Sequence, residues 1–169
     1  MQNFHQQSRV WIYLSDRAFT DVEVSDLSMA LKFFCEEWSA HGTNLKAAGE
    51  IRYSRFIILM VDETAAGASG CSIDKSVHFI QEIEKEYGVQ LFNRLLVAWK
   101  KEREVLVAPL QELQQLFDDG IIDGDTLIFN NTINSKKELD GKWLMPLRES
   151  WMYSRINAKF QNKVDKSNG

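Results

Sequence analysis

The chain has 169 residues, 44% hydrophobic and 26% charged, with 24 acidic against 20 basic side chains and a net charge of −4. A chain of that length buries roughly 70% of its unfolded surface, so its core needs no metal or disulfide. Its weak acidity argues against nucleic-acid binding through bulk charge, which requires clustered Lys and Arg.

Arg9 to Leu14 (RVWIYL) is apolar and rich in β-formers, and predicts a buried strand closed by Ser15, Asp16 and Arg17. Thr20-Asp21-Val22-Glu23 has the form of a capping box, with Ser25 as a rival cap. Val24, Leu27, Leu31, Phe34, Cys35 and Trp38 then recur at helical spacing, and Gly42 is expected to end that helix in a left-handed cap. Leu45 to Val61 predicts one long strand whose second half is buried on both faces, with a hairpin as the alternative. The small-residue loop Asp62 to Gly70 (DETAAGASG) leads into a second amphipathic helix marked by Ile73, Val77, Ile80, Ile83 and Tyr87. Ser72 or Ser69 caps its start and Gly88 closes it.

Leu91 to Trp99 and Val105 to Ala108 predict two strands joined at Lys100–Glu104, with a helical start at Leu91–Leu96 as the alternative. Pro109 opens a third helix through Leu110, Leu113, Leu116 and Phe117, which Gly120 ends. Thr126 to Asn130 is a further strand, and Lys142 to Leu147 an edge strand on account of Pro146. This order predicts an α/β or α+β fold: a single-layer mixed sheet of about five or six strands covered by about three helices. A ferredoxin-like arrangement is the rival. The expected organisation is one globular domain over 1–160 and a polar, disordered tail over 161–169.

The segment best suited to chemistry is Gly67-Ala68-Ser69-Gly70-Cys71-Ser72-Ile73-Asp74. A helix start exposes unpaired amides and the positive end of the macrodipole. Glycines let a ligand approach the backbone, and Ser69 and Ser72 add hydroxyl donors. Such a place suits a phosphate or carboxylate, and it favours the thiolate of Cys71. Asp62 and Glu63 sit at the end of the preceding strand, where open α/β sheets bind ligands. If the first two strands run parallel, Asp16 and Arg17 end at the same edge. The expected ligand-binding set is therefore Asp16, Arg17, Asp62, Glu63, Ser69, Gly70, Cys71, Ser72 and Asp74. The competing reading is an ordinary strand-to-helix turn with Cys71 as a small packed residue.

Complete catalytic motifs are missing. His78 stands seven residues after Cys71, on the order of 10 Å along one helix, too far for a thiol–imidazole pair. His41 follows the first helix, and His5 lies within the polar N-terminus. No Gly-x-x-x-x-Gly-Lys loop occurs, and Gly67–Gly70 lacks dinucleotide-loop spacing. Asp118–Asp125 fails the calcium-loop pattern. No cofactor and no metal are expected. Cys35 and Cys71 form no CxxC pair and fit a reducing cytoplasm. Met1–Ser8 lacks a signal-peptide core, and Phe56–Val61 is too short to cross a bilayer.

The stretches VWIYLSDRAF, FCEEWSAHG and FIILMVDETAAGASGCSIDKSVHFI, across residues 9–100, resemble a family of Bacteroidetes proteins labelled "ABC transporter ATPase". The label implies ATP hydrolysis, which a chain without a phosphate loop does not support. The resemblance brings no catalytic residues with it. The expected function is a small cytoplasmic binding or adaptor domain with an anion or small-ligand site at Asp62–Asp74. The alternative is an enzyme using the Cys71 thiol or an Asp62, Glu63 and Asp74 carboxylate cluster. Expected partners are a small anionic ligand or a protein, with no nucleic acid and no membrane. Trp143 to Met152 (WLMPLRESWM) is a candidate oligomer contact, so the chain is expected to be a monomer or homodimer.

Overall fold

In a computed structural model, which describes residues 3–64 and 66–156, the first apolar run forms strand β1 (Arg9–Leu14). Helix α1 (Asp21–Glu37) starts at the capping box: the Glu23 amide donates to Thr20 Oγ1 at 3.2 Å, and the Thr20 amide donates to the Glu23 carboxylate at 2.7 Å. It ends at Trp38, ahead of Gly42. Gly42 instead shares with His41 the turn between β2 (Ser39–Ala40) and β3 (Thr43–Asn44), with φ of 77° and 49°. Two left-handed residues in succession match the twist of a two-residue hairpin, which is why the glycine falls there.

The long strand expected over 45–61 is the hairpin instead: β4 (Lys46–Arg52) and β5 (Phe56–Asp62). The chain reverses at Tyr53 and Ser54, both at positive φ, and the Arg55 amide closes the turn on the Arg52 carbonyl. Helix α2 (Gly70–Tyr87) follows, capped by Ser69 and ended by Gly88 in the left-handed region. Then come β6 (Leu96–Lys101), β7 (Glu104–Pro109), a short 3-10 turn, α3 (Leu113–Asp118), β8 (Leu127–Phe129), α4 (Lys136–Gly141) and β9 (Leu144–Pro146). Residues 151–156 are helical. The tail over 161–169 lies outside the described residues.

The α/β class is as expected, but among the described residues the strands divide among antiparallel sheets of three, two and four strands instead of one mixed sheet. The β4–β5 hairpin is the physical reason. It returns β5 between β1 and β4, antiparallel to both, with Leu14 opposite Phe56 and Lys46 opposite Asp62. β1 and β4 are therefore parallel to each other without touching.

The chain divides into two compact units, Met1–Asn93 with Asn131–Trp143, and Arg94–Asn130 with Leu144–Gly169. In the first, the far edge of β1 receives a short backbone segment: Val10 donates to Asn134 and Lys136 to Ser8, each at 2.9 Å. A split β-α-β unit, a second helix and an edge segment beside β1 make up the ferredoxin-like order. The second unit is thus inserted in the chain between α2 and that edge segment.

Alternation sends Ile57, Leu59 and Val61 of β5 to one face, in a core with Leu27, Leu31, Cys35 and Trp38 of the α1 region and Ile80 and Ile83 of α2. Each such side chain contributes about 1.5–3 kcal/mol by leaving water. Phe56 takes the opposite face and meets the Trp143 ring at 5.0 Å. In the second unit β7-β6-β8-β9 form the sheet, and Val97, Trp99, Leu113, Ile128, Leu147 and Met152 share a core.

Candidate functional site

The site begins at the last residue of β5. Asp62 is buried, and its position opposite Lys46 brings the Lys46 ammonium to its carboxylate at 2.7 Å. The Thr64 hydroxyl donates to the other oxygen at 2.7 Å and the Thr64 amide at 3.2 Å. The Lys46 ammonium and the Thr64 hydroxyl hold the Asp62 carboxyl well below the usual carboxylate range. Lys46 also donates to the Asn3 carbonyl and lies over the Phe4 ring. Nothing local in the sequence singles out Lys46, because its pairing depends on strand register.

Glu63 is exposed, but its carboxylate turns along the loop and accepts the Ala68 amide at 2.9 Å. Ser69 caps α2 by accepting from the Ser72 amide at 3.3 Å, and the Ser72 hydroxyl returns to the Ser69 carbonyl at 2.8 Å. Ser72 is buried, and its carbonyl accepts the Trp38 indole N–H at 2.8 Å. That bond ties the end of α1 to the start of α2. Gly70 and Cys71 are exposed, and a methyl group built on Gly70 would meet nothing within 4 Å. The glycine is therefore not demanded by packing. Asp74 lies exposed one turn on.

Asp16 and Arg17 stand elsewhere. β1 and β5 are antiparallel, so the end of β1 lies beside the start of β5 and away from Asp62. The conditional expectation that these residues share an edge fails, because hairpin return reverses β5. Arg17 makes a two-pronged ion pair with Glu23 at 2.7–2.8 Å and donates to the Tyr87 carbonyl at the end of α2 at 2.6 Å. Asp16 accepts the Gln90 amide at 2.9 Å, and its carbonyl accepts from Arg55. The nine expected ligand-binding residues thus occupy two separate places. Seven lie along the Asp62–Asp74 edge, and two fasten the start of α1 to the end of α2.

Cys71 is exposed, whereas Cys35 is buried and desolvation pushes its thiol up to about 12. His78 is engaged with Gln81 at 3.2 Å, and His41 stands in the β2–β3 turn. Neither sets up a base for Cys71. Among the described residues no three His, Cys, Asp or Glu side chains come together to hold a metal ion. Asp62, Glu63 and Asp74 therefore form no shared carboxylate cluster, since Asp62 turns inward to Lys46 and Asp74 projects from the helix. Trp143, in the stretch considered for oligomer contact, is buried against Phe56, while Trp151 is partly exposed and stacks with Arg155. Among the described residues no helix is long and apolar enough to cross a membrane. The chain matches no family profile, no curated protein and no solved structure.

Proposed function

We propose that the chain is a small cytoplasmic binding or adaptor domain that does no covalent chemistry, with the edge from Asp62 to Asp74 as its ligand-facing surface. One observation carries this reading. The Asp62, Glu63, Ser69 and Ser72 side chains along this edge are already used within the chain, while the first turn of α2 stays open at Gly70 and Cys71. An open helix start favours a carboxylate or phosphate, and the Glu63 carboxylate already occupies the Ala68 amide just ahead of the Ser69 cap. Glu63 acts in this reading as a built-in competitor that a stronger anion displaces. The two unpaired cysteines support the cytoplasmic placement.

Thermal-shift titration with inorganic phosphate, ATP and citrate tests the proposal. At least one of these anions raises the melting temperature of the wild-type chain, and Glu63→Gln raises it further by removing the competitor. No shift with any of the three, in either protein, eliminates the ligand site. The exposed Cys71 thiol favours a second reading, a reactive-thiol enzyme. Iodoacetamide labelling at pH 6 decides it: a rate far above that of free cysteine supports the enzyme, and an equal rate ends it.

A further inference from the structure

Helix α1 carries a second apolar stripe, on the side away from the sheet. Val22, Met29 and Phe33 are 71%, 64% and 69% exposed. At 3.6 residues per turn these three fall within about 40° of one another around the axis. They form a ridge, in contrast to the singly scattered hydrophobic residues that ordinary surfaces tolerate. The core stripe of Leu27, Leu31 and Cys35 is separate and already buried.

The surroundings of the ridge are strongly one-signed. Asp26, Glu36 and Glu37 flank it, all exposed. Along Asp21–Glu37 there are five carboxylates and one ammonium, so this helix has a net charge of −4, equal to that of the whole chain. The one ammonium, Lys32, is only 4.0 Å from Glu36, and both are well exposed.

From this geometry we infer that the outer face of α1 is a docking surface for a cationic amphipathic helix of another protein. Its apolar stripe packs along Val22, Met29 and Phe33, and its Lys or Arg side chains reach Asp26, Glu36 and Glu37. Helix-on-helix docking of this kind is read through anchors spaced three, four and seven residues apart, and Val22, Met29 and Phe33 supply spacings of seven and four. The charge pattern disfavours the other occupants. A second copy packing α1 against α1 would set carboxylate rims against each other, and like charges across an interface are costly. An anionic bilayer surface repels the same rim. The inference does not depend on the ligand site at Asp62–Asp74.

The test is fluorescence anisotropy of a labelled 18-residue synthetic peptide of leucine and lysine, with the leucines at helical spacing, against the full chain. Wild type binds it in a saturable, one-to-one manner that weakens with salt. The Met29→Ser, Phe33→Ser double variant melts at the wild-type temperature and binds at least ~10-fold more weakly, as expected when central apolar anchors are lost. Ile121→Ser, at an exposed apolar position in the other unit, leaves binding unchanged. Equal binding by wild type and the double variant overturns the inference. So does equal binding of a peptide with glutamate in place of lysine. A wild-type dimer in sedimentation that the double variant dissolves also overturns it, in favour of a second copy.

Discussion

Helices α1 and α2 contribute to one core on one face of the same three-stranded sheet and differ in what they leave outside. Every large apolar side chain that α2 carries is buried or half-buried, and its outward positions include Asp74, Lys75, His78, Glu82 and Glu86. α1 buries Leu27, Leu31 and Cys35 yet still presents Val22, Met29 and Phe33 to solvent. The apolar side chains of α2 are all accounted for by the demands of the fold, whereas α1 carries apolar surface beyond them. Apolar content in a helix therefore does not measure its share of the core. The angular position of each residue decides whether it stabilises the fold or remains for something else.

Truncating one residue from each stripe of α1 separates the two roles with the largest expected effect. Leu31→Ala removes a fully buried side chain and lowers stability by about 2–5 kcal/mol in chemical denaturation. Phe33→Ala, two positions on, stays within about 0.5 kcal/mol of wild type. A large loss at Phe33 would show that the outer ridge belongs to the core.

The two helix starts differ as well. Thr20 and Glu23 cap α1 reciprocally, while Ser69 caps α2 with one side-chain bond to the Ser72 amide and no acidic partner in its first turn. Thr20→Ala costs about 1–2 kcal/mol and Ser69→Ala about 0.5–1 kcal/mol by the same measurement. The reverse order would mean that the bond from Trp38 to Ser72 makes the start of α2 the more cooperative one.

The smallest effect is in pH dependence. The hydrogen bonds of Glu23 to the Arg17 guanidinium, then to the Thr20 amide, bring its carboxyl from 4.5 down to about 2. Its folded pKa lies below the unfolded one, so its contribution is complete above pH 4.5 and fades as the pH falls towards 2. The stability gap between wild type and Glu23→Gln should therefore narrow over that window. A constant gap would show that Glu23 acts through shape alone. Asp62 titrates in acid in both proteins and cancels from the difference.

Local signals were legible wherever the physics was local. The strand Arg9–Leu14, the capping box at Thr20, the cap at Ser69 and the left-handed stop at Gly88 all appear where short-range sterics and hydrogen bonding put them. The place of Gly42 is not legible locally, because a glycine at positive φ suits a helix end and a tight hairpin equally, and the choice depends on what pairs next. The outer ridge of α1 was open to the same periodicity argument that found the inner stripe. A helix with two apolar stripes does not say which one meets the sheet.

The candidate site divides along the same line. A serine-capped helix start near Cys71 is legible in the chain, since a helix start is built from sequence neighbours, with Ser69 or Ser72 as the cap; folding selects Ser69 and leaves Gly70 and Cys71 exposed. Long-range packing, in contrast, sets Asp62 against Lys46, brings Trp38 to the Ser72 carbonyl, and makes Asp16 and Arg17 fasten the opposite end. Those outcomes depend on β5 entering between β1 and β4. Strand order is set by long-range register and burial, where residues far apart in the chain compete for the same edge, and no local pattern encodes the winner.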